Sequence, residues 1–116
     1  MAENPILAKS FAFALRVVKL SRYLADEHKE FTLGRELLSS GTNIGRFVKE
    51  ALSADSSAGF TTMMSTALRH ADVTEYWLQL IQFAELLKEN EYNSIEADRK
   101  ELAKMLTKIV KTSKGE

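Results

Sequence analysis

The stretch LLSSGTNIGRFVK, from Leu37 to Lys49, decides how this chain folds. Leu37, Ile44, Phe47, Val48 and Ala51 lie on or near one helical face, as in a helix packed against a core. The middle, Ser39-Ser40-Gly41-Thr42-Asn43 followed by Gly45, is a run of poor helix formers. The residues allow two readings. One is a pair of short helices, Leu33 to Ser39 and Asn43 to Leu52, with a turn between them. The other is a continuous helix in which Gly41 and Gly45, four apart on one face, let a neighbouring helix come close. An interior glycine costs about 1 kcal/mol relative to alanine. The continuous helix therefore needs compensation from close packing, with Ser40, Thr42 and Asn43 bonding across the seam or to their own backbone.

Outward from this segment the chain reads as helices throughout. Asn4 followed by Pro5 is a helix start, because Asn caps and Pro in the first turn gives up no needed N–H. The spacing predicts a first helix from there to about Ala25 or Asp26. Thr32 is the expected cap of a second, ending near Leu52. Asp55, Ser56 and Ser57 offer caps for a third that runs to about Lys88. Asn93 is the expected cap of a fourth, which carries Leu102, Met105, Leu106, Ile109 and Val110 and ends near Thr112. No strand-like alternation competes. Short connectors make neighbours antiparallel, so the expected fold is all-α: one domain over residues 1–116, an antiparallel up-down-up-down four-helix bundle.

Two helices are apolar over too wide an arc for one bundle core. In the first, Leu7, Phe11, Ala14 and Val18 form one stripe, read as the core. Ile6, Phe13, Val17, Leu20 and Leu24 form another, rotated by about 110°. In the third, Phe60, Met64, Ala67, Ala71, Thr74, Leu78 and Ile81 form the core stripe, with Val73, Trp77, Leu80, Ala84 and Leu87 rotated from it. Soluble monomers rarely leave large apolar patches open, so the spare stripes point to a homo-oligomer. Phe13, Val17, Leu20, Leu24, Trp77 and Leu80 are the expected subunit interface. The competing reading is that broad helices sit deep in a small bundle.

Composition narrows the function. Of 116 residues, 16 are basic and 16 acidic, so no net charge draws the whole molecule to nucleic acid or membrane. There is no cysteine, which suits a reducing compartment. No segment approaches the roughly 18 to 20 apolar residues of a membrane helix, and Glu3 and Lys9 interrupt the pattern of a signal peptide. The expected location is cytoplasmic. The charge is nevertheless segregated. Lys104, Lys108, Lys111 and Lys114 follow Ala103 with no acid among them, and the first three share a face. From Ala54 to Glu89, five acids stand against two bases. The lysines could contact phosphates, weakly each and together in an oligomer; equally, cations at a helix C-terminus favour the macrodipole.

Catalytic patterns are missing. A bundle di-iron site needs paired Glu-x-x-His motifs, which His28 and His70 do not supply. The glycines lack the Lys-Ser or Lys-Thr of a phosphate loop, and the serines have no base at readable spacing. No catalytic residue, metal or cofactor is expected. Glu75 is expected to be a half-buried carboxylate bonded to a neighbouring helix.

The runs SGTNIGRFVKEA, from Ser40 to Ala51, and ALRHADVTEYWLQLI, from Ala67 to Ile81, resemble the two signature segments of the four helix bundle proteins known as the 23S rRNA intervening-sequence protein family. The opening NPILAKSFAFALRVVKL is also similar to the start of many members. The resemblance implies that the glycine segment lies within a continuous second helix and that the protein assembles as a ring, commonly a homopentamer. Five chains of 13.1 kDa would make about 65 kDa. Members are encoded in intervening sequences of bacterial ribosomal RNA genes and elsewhere in bacterial genomes. A related bundle accompanies the reverse transcriptase of diversity-generating retroelements and binds nucleic acid. The resemblance implies nucleic-acid binding; the charge placement makes Lys104, Lys108 and Lys111 the candidate phosphate contacts, with Arg46 and Lys49 as secondary candidates. The alternative is a scaffold that binds a partner protein.

Overall fold

The computed structural model describes residues 4–116, and within them the chain forms four helices and no strand: α1 Pro5–His28, α2 Thr32–Ala51, α3 Ser57–Phe83 and α4 Glu89–Ser113. Each helix packs on the next, and α1 also meets α4 along a less extensive seam. No Cα of α1 comes within 8 Å of one in α3, nor one of α2 of one in α4, so these pairs occupy opposite corners of a square.

The helix ends follow local chemistry. The Asn4 side chain accepts from the Leu7 N–H (3.2 Å), with Pro5 in the first turn. Ser56 accepts from the Gly59 N–H (3.0 Å) and starts α3. At the head of α2 the cap is not Thr32: the Glu30 carboxylate accepts from the Leu33 N–H (2.7 Å). α3 ends at Phe83, five residues before the expected Lys88. There Glu85 turns left-handed (φ 63°), its N–H bonds the Gln82 carbonyl, and the Leu86 N–H bonds that of Ile81. This closure satisfies orphan carbonyls without a glycine, which is why no residue type announced it. α4 begins at Glu89, four residues ahead of Asn93, with Glu89 and Glu91 placing negative charge in its first turn.

The glycine segment is helical throughout, and α2 is continuous. Thr42 bonds back to the Leu38 carbonyl (2.7 Å) and Ser40 to that of Leu37 (3.4 Å), so both hydroxyls are satisfied within their own helix. On the α1 side Gly34 faces Ser21, Gly41 faces Val17 and Gly45 faces Ser10. A methyl group at Gly41 would come within 2.7 Å of a Val17 methyl, whereas one at Gly45 would meet nothing nearer than 3.4 Å. Gly41 is where close approach requires glycine.

That seam reverses the expected roles of the two α1 stripes. Ile6, Ser10, Phe13, Val17 and Leu24 are the buried line of α1, and Phe11 is largely exposed. Phe13, Val17 and Leu24 therefore cannot form a subunit interface: at 2 %, 0 % and 0 % exposed they have no surface to offer a second chain. The reason lies in the partner helix. The glycines of α2 admit a close neighbour only along a line that presents Ser10, Val17 and Ser21, and that line carries the large apolar residues inward with it. Leu20 is half-buried and lines the gap between α1 and α4 with Leu87 and Ile95. In α3 the expected core stripe is the observed one from Met64 to Ile81, and Leu80 stays on the surface.

Candidate functional site

α4 buries Ile95, Arg99, Leu102, Leu106 and Val110, which turns the opposite side to solvent. Lys104, Lys108 and Lys111 are all exposed there, and none pairs with an acid among the described residues. Lys100, one turn before Lys104, continues the row. In the sequence the adjacent Glu101 masks Lys100 as part of a cationic run, whereas in the fold Glu101 holds Lys9 of α1 at 2.7 Å. Four lysines thus follow one helix face over three turns, unshared with any carboxylate among the described residues.

Arg46 and Lys49 are exposed on α2, at the opposite corner from α4. They do not join the lysine row. Arg46 is already engaged: it donates to Asn43 Oδ1 (2.9 Å) and the Glu50 carboxylate (2.5 Å), and its guanidinium lies 4.2 Å above the Phe47 ring. The other side of this cluster is His70 of α3, stacked on Phe47 with centroids 5.2 Å apart and rings 10° from parallel. Burial, and then Arg46 and Arg69, hold the His70 imidazole below its ordinary 6.5. A neutral stacking histidine is a packing element of the α2–α3 seam.

Glu75 meets the expectation of a carboxylate tied to a neighbouring helix. Its partner, Arg99 of α4, was not foreseen. The Arg99 side chain lies almost wholly inside, bonds both Glu96 oxygens (2.7 Å each) and Glu75 (3.2 Å), and donates to the Ala71 carbonyl (3.4 Å). Glu96 lies on the same helix three residues earlier, so the carboxylate clamps the guanidinium while Glu75 and Ala71 tie it to α3. Ser40 and Thr74 make a second buried polar contact, between α2 and α3, at 3.0 Å. No buried side-chain polar atom among the described residues lacks a partner. Among those residues no group of three or more His, Asp or Glu could hold a metal ion, and no helix is long and apolar enough to cross a membrane.

The family model described as 23S rRNA-intervening sequence protein matches residues 2–108. A crystal structure of a protein of unknown function from the S23 ribosomal protein family of Bacteroides thetaiotaomicron VPI-5482 superimposes with a TM-score of 0.90 at 40 % identity, covering 91 % of this chain and 98 % of that one. No curated protein matches the chain.

Proposed function

Since the chain belongs to the 23S rRNA-intervening sequence protein family, we propose that it is a non-enzymatic, cytoplasmic nucleic-acid-associated protein that contacts RNA or DNA backbone through the lysine face of α4. The observation that carries this reading is the row Lys100, Lys104, Lys108 and Lys111, exposed and unpaired with any described acid on a molecule of zero net charge. Each phosphate neutralised releases counterions, so a short lysine row binds weakly and without sequence preference. Assembly into a ring multiplies such contacts, and a homopentamer is the arrangement proposed. The order of facing residues, Gly34 with Ser21 and Gly45 with Ser10 on α1, supports an antiparallel up-down-up-down bundle as its subunit. Arg46 and Lys49 lie too far round the bundle to share the same strand contact.

The test is a binding titration against labelled structured RNA and single-stranded DNA at about 50 and about 200 mM salt. Binding that weakens steeply with salt, and is lost when Lys104, Lys108 and Lys111 become glutamine, is the expected result. Absence of binding at the lower salt overturns it in favour of a protein-interaction scaffold, a reading favoured by the exposed rings of Tyr76 and Phe83 on α3.

A further inference from the structure

α1 and α3 stand at opposite corners of the bundle, and each is apolar on the side turned away from it. On α3 the line is Val73, Tyr76, Leu80 and Phe83, exposed by 45, 58, 38 and 80 %. Its spacing of three, four and three residues keeps it on one helical face, opposite the buried Ala71, Thr74, Leu78 and Ile81. On α1 the corresponding line is Phe11 and Leu15, exposed by 61 and 48 %, followed by half-buried Val18. Beside Phe11 runs a groove of about 400 Å³ between α1 and α2, walled by Leu7 and Ala14 and open over Gly45, with Arg46 and Lys49 at its rim. Both lines hold the spacing with which helices interlock side by side.

The charges around the two lines are opposite. From Asp72 to Glu85 there are three acids and no lysine or arginine; from Pro5 to Ala25 there are four lysines and arginines and no acid. Lys9 and Arg16 are taken by Glu101 and Asp98 of α4, but Lys19 and Arg22 pair with no described acid. Asp72 is likewise exposed and without an ion pair among the described residues. Packing α3 against α3 of another copy would set acids against acids, and α1 against α1 would set cations against cations. Only α3 on α1 joins apolar to apolar and opposite charges together.

We propose that the α3 line of one copy packs on the α1 line and the adjoining α1–α2 groove of the next, a heterologous contact between two copies of this chain. This deepens the assembly proposed above and rests on it. Because the two faces lie on opposite corners, every copy that uses one still has the other free, and the contact propagates until it closes. Arg46 and Lys49 then belong to the rim of the subunit contact, and the α4 lysines remain outside it. The interface differs from the one expected in sequence, whose α1 side is Phe13, Val17, Leu20 and Leu24; Leu80 is common to both.

Two double variants test the pairing of faces, Phe11→Gln with Leu15→Gln and Tyr76→Gln with Phe83→Gln. All four sites are exposed, so each variant is expected to fold, which its circular dichroism and melting curve check. Light scattering at micromolar concentration should give several times 13.1 kDa for the wild type and a monomer for each variant alone. An equimolar mixture should give a 1:1 complex of about 26 kDa, because each variant keeps the face the other lacks. Variants that keep the wild-type mass would show that the faces are wrong while assembly stands. A mixture that stays monomeric, or an α1 variant that still self-associates, would overturn the heterologous pairing. A monomeric wild type would sink the assembly reading together with it.

Discussion

Gly41 and Gly45 look equivalent in sequence, and the structure separates them. Replacing either by alanine gains about 1 kcal/mol of helix propensity. At Gly41 the new methyl would run into both Val17 methyls, at 2.7 and 2.9 Å, on a buried β-branched side chain with no room to turn. Overpacking of this kind costs about 1–3 kcal/mol, so Gly41→Ala is expected to lower the urea midpoint. Gly45→Ala, at ordinary contact distance, should leave it unchanged or raise it. Equal losses at both sites would refute the distinction. Arg99 gives a second contrast. Arg99→Ala leaves two carboxylates facing a hole and should cost about 2 kcal/mol, because the partners are partly solvated. Arg99→Met fills the same space without a charge and should recover much of the loss. Comparable destabilisation by the two substitutions would mean that the ion pairs, and not the packing, carry the site.

At the scale of elements, periodicity located all four helices, because a half-buried helix repeats its apolar residues whatever its neighbours are. α1 runs past the expected Ala25 or Asp26 to His28, where Lys29 turns left-handed, and α2 starts without the Thr32 cap, while the largest boundary differences fall at the turn between α3 and α4. Sequence rules seek a glycine where a helix turns left-handed, and here Glu85 takes that conformation at φ 63°. A non-glycine residue pays about 1 kcal/mol or more there, which buried Leu87 and the two closing backbone bonds offset. Glu85→Gly is therefore expected to raise the melting temperature by a few degrees, with the helix content by circular dichroism unchanged. A lowered melting temperature would show that the Glu85 side chain contributes something its solvent-facing position does not reveal.

For the whole molecule, stability should depend on pH through His70, whose imidazole is held below its ordinary 6.5 by burial first and then by Arg46 and Arg69. The unfolded chain binds a proton near pH 6.5, while the folded chain resists it to lower pH. Protonation therefore favours unfolding: the stabilisation is complete above 6.5 and is lost as the pH falls below it. Melting curves between about pH 7.5 and about pH 5.5 should show a decline that His70→Gln reduces, and identical profiles for the two proteins would exclude His70 as the source. The amino-acid order by itself determined four helices, the continuity of α2 once its segments were seen to resemble a family, the core line of α3 and the row of lysines on α4. Those features are written in residue type and spacing along one chain segment. It could not choose between the two stripes of α1, since Phe11 and Phe13 are equally apolar and a helix wheel has no inside. Nor could it foresee that Arg99 would reach Glu75, or that Arg46 and Lys49 would face away from the α4 lysines. Tertiary structure decided these, because the close approach of α2 at Gly41 admits one line of α1 and turns the other to solvent, and the order of packing places α2 and α4 on opposite corners.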